Sequence, residues 1–269
     1  MSSTTGKSWA LGRYSGATPY DLGGIPFDVK ITKKATVTKE PGTGQRKLAS
    51  IDTSGIHWII DFKLKVQVLA TFITSYCMIT AEGALPSFSL YTYDGTTKRG
   101  FTGCYVNTCQ IEVGQTGAMV ATIQVIAIAN EDKDLTITNA TEVPMVKASV
   151  TAPVLNAATL SKWTKITFSV NNYVEVLATG NGAAMTEIFA KQAEYSGSIT
   201  FVKIAALTFG YSTDVNGDLV LVFTDNQTVP VATTFTFDEV SSSNNEYSVK
   251  ELDITMENVN WEGDELTIA

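Results

Sequence analysis

Of the side chains that do most proton-transfer chemistry, the sequence offers one histidine, His57, in the apolar string SGIHWIID. A lone imidazole with no second histidine reads as a structural residue, because a general base needs a nucleophile or an orienting carboxylate in reach. The nucleophile elbow GxSxG, the phosphate loop GxxxxGK(S/T), the zinc helix HExxH and the dinucleotide loop GxGxxG are absent. The string DVNGD, Asp214 to Asp218, has its glycine at the fourth position, whereas a calcium loop needs it at the sixth and a glutamate at the twelfth. Set between GYST and LVLVF, it reads as a hairpin turn on Asn216 and Gly217. Glu187 and Glu194 stand seven apart and form a solvated stripe rather than an acid/base pair. Cys77, Cys104 and Cys109 lack CxxC spacing, and Cys104 and Cys109 fall on opposite faces of a strand, which excludes a local disulfide or zinc site between them. Free buried thiols suit a reducing compartment. The residues therefore predict no catalytic set, no metal and no cofactor.

What remains is a chain built to fold and to present surfaces. At 269 residues with 44% hydrophobic and 17% charged residues, it buries a sizeable core as one large β domain or two smaller ones, the better expectation. The start MSSTTGKSWALGRYSG has no apolar core, so no secretory signal is expected and synthesis is expected in cytoplasm. The run from Val66 to Ala81 is interrupted by Thr71, Thr74 and Ser75 and reads as a buried strand pair, not a membrane span. A net charge of −8 opposes general phosphate neutralisation, hence general nucleic-acid binding. The charge is uneven: residues 1–50 carry eight Lys/Arg against three Asp/Glu (net +5), and residues 238–269 carry one lysine against nine Asp/Glu (net −8).

The first fifty residues, rich in glycine and proline turns, read as an N-terminal arm with little core of its own. From Ile56 the apolar residues recur at every second position, through HWIIDFKLKVQVLATF and SFSLYTYDG. After Pro144 and Pro153 the pattern restarts at Trp163, in WTKITFSVNNYVEVLATGNG, SGSITFVKIAALTFGYS, DLVLVF and ATTFTF. The domains predicted are residues 51–155 and 156–269. One helix is predicted in the second half, Ala183 to Tyr195, from Met185, Ile188, Phe189 and the Gln192-Ala193 edge, with Gly197 as its stop. It should pack on a sheet.

The most informative stretch is Thr102 to Ala129, two long extended runs joined by GQTG with almost no charge. In the first run one parity is Cys104, Val106, Thr108, Gln110 and Glu112, and the other is Tyr105, Asn107, Cys109, Ile111 and Val113, so one face grows polar as the other grows apolar. On the return, Met119, Ala121, Ile123, Val125 and Ala127 form an apolar face, and Thr122 and Gln124 mark the other. Exposed sheet faces normally recruit more Lys and Glu than this.

GCYVNTCQIEV with its returning strand, ITFSVNNYVEVLATG, and the helix followed by YSGSITFVK together resemble viral tail tube proteins, over about residues 60 to 250. The resemblance implies a mainly β fold of two tandem β-sandwich or barrel-like tube domains with long hairpins. It also implies a structural role in which hairpins of neighbouring subunits join into a barrel around a channel that conducts DNA without binding it specifically. The paired halves are similar to the variety with two fused tube domains, where three subunits form a ring with pseudo-sixfold symmetry; a hexamer is the other arrangement. Such a protein's partners are copies of itself in stacked rings and other tail proteins, with no membrane, and its place is the virion tail after synthesis in host cytoplasm. On shared parity, Thr108, Gln110, Glu112, Thr122, Gln124, Thr167, Ser169 and Asn171 are the expected lumen-lining residues. The charge polarity suggests inter-ring contacts, with Lys30, Lys33, Lys34, Arg46 and Lys47 as donors and Glu251, Asp253, Glu257, Glu262, Asp264 and Glu265 as acceptors. The competing reading is a double β-sandwich that binds carbohydrate or a protein partner on a platform of Trp58, Trp163 and Trp261.

Overall fold

The computed structural model describes residues 10–41, 48–69, 72–78, 85–137, 143–177, 187–202, 217–249 and 255–269. A short hairpin of β1 (Ala10–Ser15) and β2 (Thr18–Tyr20) opens the chain and turns at Gly16, whose φ of 60° suits a residue without a Cβ. It is followed by a long antiparallel pair, β3 (Gly24–Pro41) and β4 (Leu48–Val66), then by β5 (Phe88–Tyr93), β6 (Lys98–Val113) and β7 (Val120–Asp132). The second half begins with the small hairpin β8 (Val154–Leu155) and β9 (Ala158–Thr159). It continues through β10 (Trp163–Asn171), β11 (Val174–Leu177), β12 (Glu187–Ala190), β13 (Glu194–Val202), β14 (Gly217–Thr224), β15 (Ala232–Val249), β16 (Thr255–Gly263) and β17 (Glu265–Ile268).

Two pairing orders occur twice. The order β2-β1-β5-β6 in the first half is matched by β9-β8-β14-β15 in the second, and β3-β4-β7-β6 is matched by β10-β13-β16-β15. The strands common to both orders, β6 and β15, carry positive φ at corresponding bends, 57° at Gly103 and 48° at Glu239. The halves meet where β6 pairs antiparallel with β10, which makes one continuous run β3-β4-β7-β6-β10-β13-β16-β15. The inward residues of this run form one main core drawn from both halves, including Phe62, Ile111, Phe168 and Trp261. Phe168 meets Phe223, Phe235 and Phe237 at 5.9, 5.6 and 5.6 Å between ring centres. Each such ring removed from water contributes roughly 1.5–3 kcal/mol, so the aromatic cluster anchors the second half's sheet layers to one another.

Three expectations change. The predicted helix is absent from the described part of its span: Glu187–Ala190 is a strand paired with Val174–Leu177, and Glu194 opens β13. Residues 183–186 lie outside the described residues. The helical reading rested on Met185, Ile188, Phe189 and the Gln192-Ala193 edge at three- and four-residue steps, and a cross-strand partner overrides such a local propensity. Gly197 ends nothing; it sits mid-strand opposite Phe168, where a Cβ would stand 2.6 Å from the Trp261 ring. Within the run expected as a buried strand pair, Val66, Val68, Leu69, Phe72, Ile73, Cys77 and Met78 are buried, but Ser75 is exposed, Val66 ends β4 and Ile73–Cys77 forms a single π-helical turn; residues 70, 71 and 79–81 lie outside the described residues. A short apolar run signals burial without fixing the period. Finally, the glycine-rich first fifty residues do contribute core, with Leu11 and Leu22 each 1% exposed.

Candidate functional site

One face of the eight-strand run is the core; the other, among the described residues, holds a polar patch across β7, β6, β10, β13 and β16, with a small apolar cluster of Ile126, Tyr105, Val174 and Val176 beside it. Register explains the drift of character along Thr102 to Val113. The ladder between β6 and β7 shifts between Val106 and Thr108, so an extra residue, Asn107, is inserted and the parity reverses. Cys104 and Val106 point inward before the bulge, and Cys109, Ile111 and Val113 point inward after it, all buried. The expectation that Cys104 and Cys109 lie on opposite faces is corrected by this bulge. Asn107 is also a staple. Its Nδ2 donates to Gln124 Oε1 at 2.7 Å, its Oδ1 accepts from the Val174 backbone N at 2.9 Å, and its carbonyl accepts from the Asn172 N at 2.8 Å.

After the bulge the outward residues line up across the sheet. Thr108, Gln110 and Glu112 stand opposite Asn171, Ser169 and Thr167 on β10, and Thr108 and Gln110 stand opposite Gln124 and Thr122 on β7. None of the eight expected residues is buried in the core; they form one contiguous patch. The patch continues through Ser196, Ser198 and Thr200 on β13 to Asn258, Asn260 and Glu262 on β16. Sequence reading missed these, although YSGSITFV and NVNWE carry the same alternation; assigning Tyr195 to a helix hid it. Asp61 on β4 extends the patch the other way and accepts from Gln124 Nε2 at 2.8 Å.

The face is largely bonded to itself. Thr167 Oγ1 and Ser198 Oγ lie 2.7 Å apart, Ser169 and Ser196 Oγ 3.0 Å apart, and Thr200 Oγ1 donates to Asn258 Oδ1 at 2.9 Å. Two of its lysines are paired, Lys165 with Glu112 at 3.1 Å and Lys63 with Asp28 at 3.1 Å. From β7 to β16 the patch carries one lysine, Lys165, against Glu112 and Glu262, and so has no basic stripe to hold phosphates there; Lys30, Lys63 and Lys65 stand on the same face at the β3–β4 edge.

Among the other expected residues, Lys30, Lys33 and Lys34 are exposed on β3; Lys33 stands opposite Trp58, where the β4–β7 ladder ends, and Lys34 lies one row beyond it. Arg46, Lys47, Glu251 and Asp253 lie outside the described residues. Glu262, Asp264 and Glu265 are exposed at the end of the sheet toward which β3 and β4 extend. Glu257 is corrected: it shares the inward parity of Val259 and Trp261 and is 0% exposed, so it is not a surface acceptor. Trp163 and Trp261 are 3% and 1% exposed, which removes the aromatic platform of the competing reading; Trp58 packs edge-on against Phe101 at 6.3 Å. His57 Nδ1 lies 3.1 Å from the Gly55 carbonyl oxygen, a local contact. Asp214 to Asn216 of the expected turn lie outside the described residues. Burial, and next a hydrogen bond with Cys109, raise the Cys77 thiol well above its usual range, and burial pushes Cys104 up to about 12. Among the described residues no group of three or more His, Cys, Asp or Glu could hold a metal ion, and no helix is long and apolar enough to cross a membrane.

Long antiparallel strands with one core face and one self-bonded polar face define a sheet-forming structural protein. A family model described as phage tail tube protein matches residues 4–263, and the chain belongs to that family. Membership makes it a structural subunit of a viral tail tube and a component of the virion tail. No curated protein matches the sequence.

Proposed function

We propose that three copies of this chain, each carrying two tube-type domains in tandem, close into a ring of pseudo-sixfold symmetry, and that rings stack into a tube through which DNA passes. The observation that carries this reading is the pairing order that occurs twice in one chain. Two equal units per chain need half as many chains to complete a ring as single units do. In this reading the two domains divide between β7 and β8, and residues 10–41 are assigned to the first because β3 pairs with β4. Thr108, Gln110, Glu112, Thr122, Gln124, Thr167, Ser169 and Asn171 line the channel, joined by Asp61, Ser196, Ser198 and Asn260. Their mutual hydrogen bonds and paired charges support a surface past which phosphates move without adhering. The charge polarity is an assembly device: the basic β3–β4 hairpin meets the acidic C-terminal strands of another copy, and salt screens the attraction. Other tail proteins cap the stack. The chain works without catalysis, cofactor or metal.

Negative-stain microscopy combined with mass measurement in solution tests the reading. Rings of three chains, lengthening into tubes, are the expected result. A protein that stays monomeric at high concentration, or rings of six chains, would overturn it.

A further inference from the structure

The chain holds one junction between its halves, and the repeat in pairing order says which edges make the next one. Among the described residues, β3 pairs only with β4, and residues 241–249 of β15 pair only with β16. Unpaired edges of this length template further strand addition. β6, the counterpart of β15, has its corresponding edge filled by β10, the counterpart of β3. We propose, resting on the ring reading above, that residues 241–249 of one copy pair antiparallel with β3 of the next copy, in the register that β6 and β10 show within the chain.

The register can be worked out. The Gln67 N donates to the Gly23 carbonyl at 2.9 Å where the β3–β4 ladder ends, and the Val202 N donates to the Lys162 carbonyl at 3.0 Å where the β10–β13 ladder ends. Aligning these points makes the Thr32–Ile59 pair equivalent to Asn171–Glu194. Counting on from the same points through the neighbouring ladders makes Ser241–Glu262 equivalent to Thr108–Gln124, β15 having one additional residue at its shift between Ser242 and Asn244. Since Thr108 pairs with Asn171, Ser241 pairs with Thr32 of the next copy. Continuing past that pair in the same direction, Lys34 of the next copy runs toward Glu239; both are exposed. The basic and acidic ends of the chain thus meet across a lateral junction within the ring. The internal junction has no such charge pair at this place: there Val174 and Val176 of β11 pack with Ile126 and Tyr105. A covalent junction forms without electrostatic guidance, whereas a junction between copies gains direction from it.

Thr32 and Ser241 make a sharp test. Within the chain the Asn172 N donates to the Asn107 carbonyl at 2.8 Å beside the Thr108–Asn171 pair, which marks that pair as non-hydrogen-bonded. Such pairs bring Cα atoms to about 4.5 Å, inside the range a disulfide spans. Particles assembled from the Thr32→Cys/Ser241→Cys variant and treated with a mild thiol oxidant should run as a ladder of covalent multimers on non-reducing gels. Each single variant, and the out-of-register pair Ile25→Cys/Ser241→Cys, should stay monomeric. Where the cysteines prevent assembly, a charge exchange decides: Lys34→Glu should raise the concentration needed for ring formation at least several-fold, and Lys34→Glu/Glu239→Lys should restore it. Rings that form without the in-register cross-link, or that cross-link equally out of register, overturn the register and leave the ring reading standing. Assembly indifferent to Lys34→Glu overturns the charge contact. A wild-type chain that forms no rings ends both.

Discussion

Replacing Gly197 by alanine separates the strand from the predicted helix stop. An added Cβ would stand 2.2 Å from the Thr167 carbonyl oxygen and 2.6 and 2.8 Å from Cζ2 and Cε2 of Trp261. The carbonyl belongs to the β10 ladder and cannot swing away, and Trp261 is held at 4.7 Å from the Phe237 ring. Overpacking of this kind costs about 1–3 kcal/mol, and two contacts at once place it near the upper end. Against this, a side chain in a strand interior recovers roughly 0.5–1 kcal/mol of backbone entropy relative to glycine. The net expectation is a loss of about 2 kcal/mol, read by urea denaturation with tryptophan fluorescence. In a Trp261→Leu background part of the clash disappears, so the cycle should show a coupling of about 1 kcal/mol, while the contact with the Thr167 carbonyl keeps relief incomplete. A Gly197→Ala protein within about 0.5 kcal/mol of wild type would refute the packing argument.

Asn107→Ala leaves the Val174 N–H and the Gln124 amide without their partner and should cost about 2–4 kcal/mol by denaturant unfolding. If it is neutral, the staple is not needed for the bulge. Cys104 is fully buried and its thiol is raised from 9.0 to about 12, so the folded state holds that proton longer than the unfolded chain. The resulting stability is fully present below about pH 9 and declines as pH rises toward 12, by up to about 4 kcal/mol. Denaturation between pH 8 and 10.5 should show the fall, and Cys104→Ala should lessen it. Gln110→Lys/Thr122→Lys places cations on the polar face; tubes should form, yet retain added duplex DNA in a pull-down where wild-type tubes do not. Dialysis against EDTA should leave the melting midpoint unchanged, and a drop would reveal a required metal.

Much of the polar face could be read before any coordinates, because alternation in CQIEV, TIQVIA and TFSVN is dense enough to state which side chains share a side. The bulge was written there too, as a face that changes character near Asn107, but only the partner strand's register shows that one inserted residue is the cause. The repeat was nearly invisible. Backbone hydrogen bonds set pairing order and accept many side chains, so Gly103 and Glu239 serve at the same bend with no likeness between them. The helix failed for the opposite reason: AAMTEIFAKQAEY has good local propensity, and its fate is set by Val174–Leu177, a partner that no local pattern announces. Gly197 looked like punctuation because the ring above it lies 64 positions away, at Trp261.

The join between β7 and β8 has a consequence for how a ring begins. Every free chain brought into a ring gives up its tumbling and drift, an estimated 4–15 kcal/mol for each association. In the three-chain ring proposed above, the first of every two junctions would already be made inside the chain, as β6 and β10 make it here, and three bodies would have to meet instead of six. Nucleation then depends on a lower power of concentration, and a half-finished ring has fewer ways to be wrong. The two kinds of junction are also free to drift apart in sequence, one tuned for folding and the other for recognition, which a ring of identical single domains cannot do.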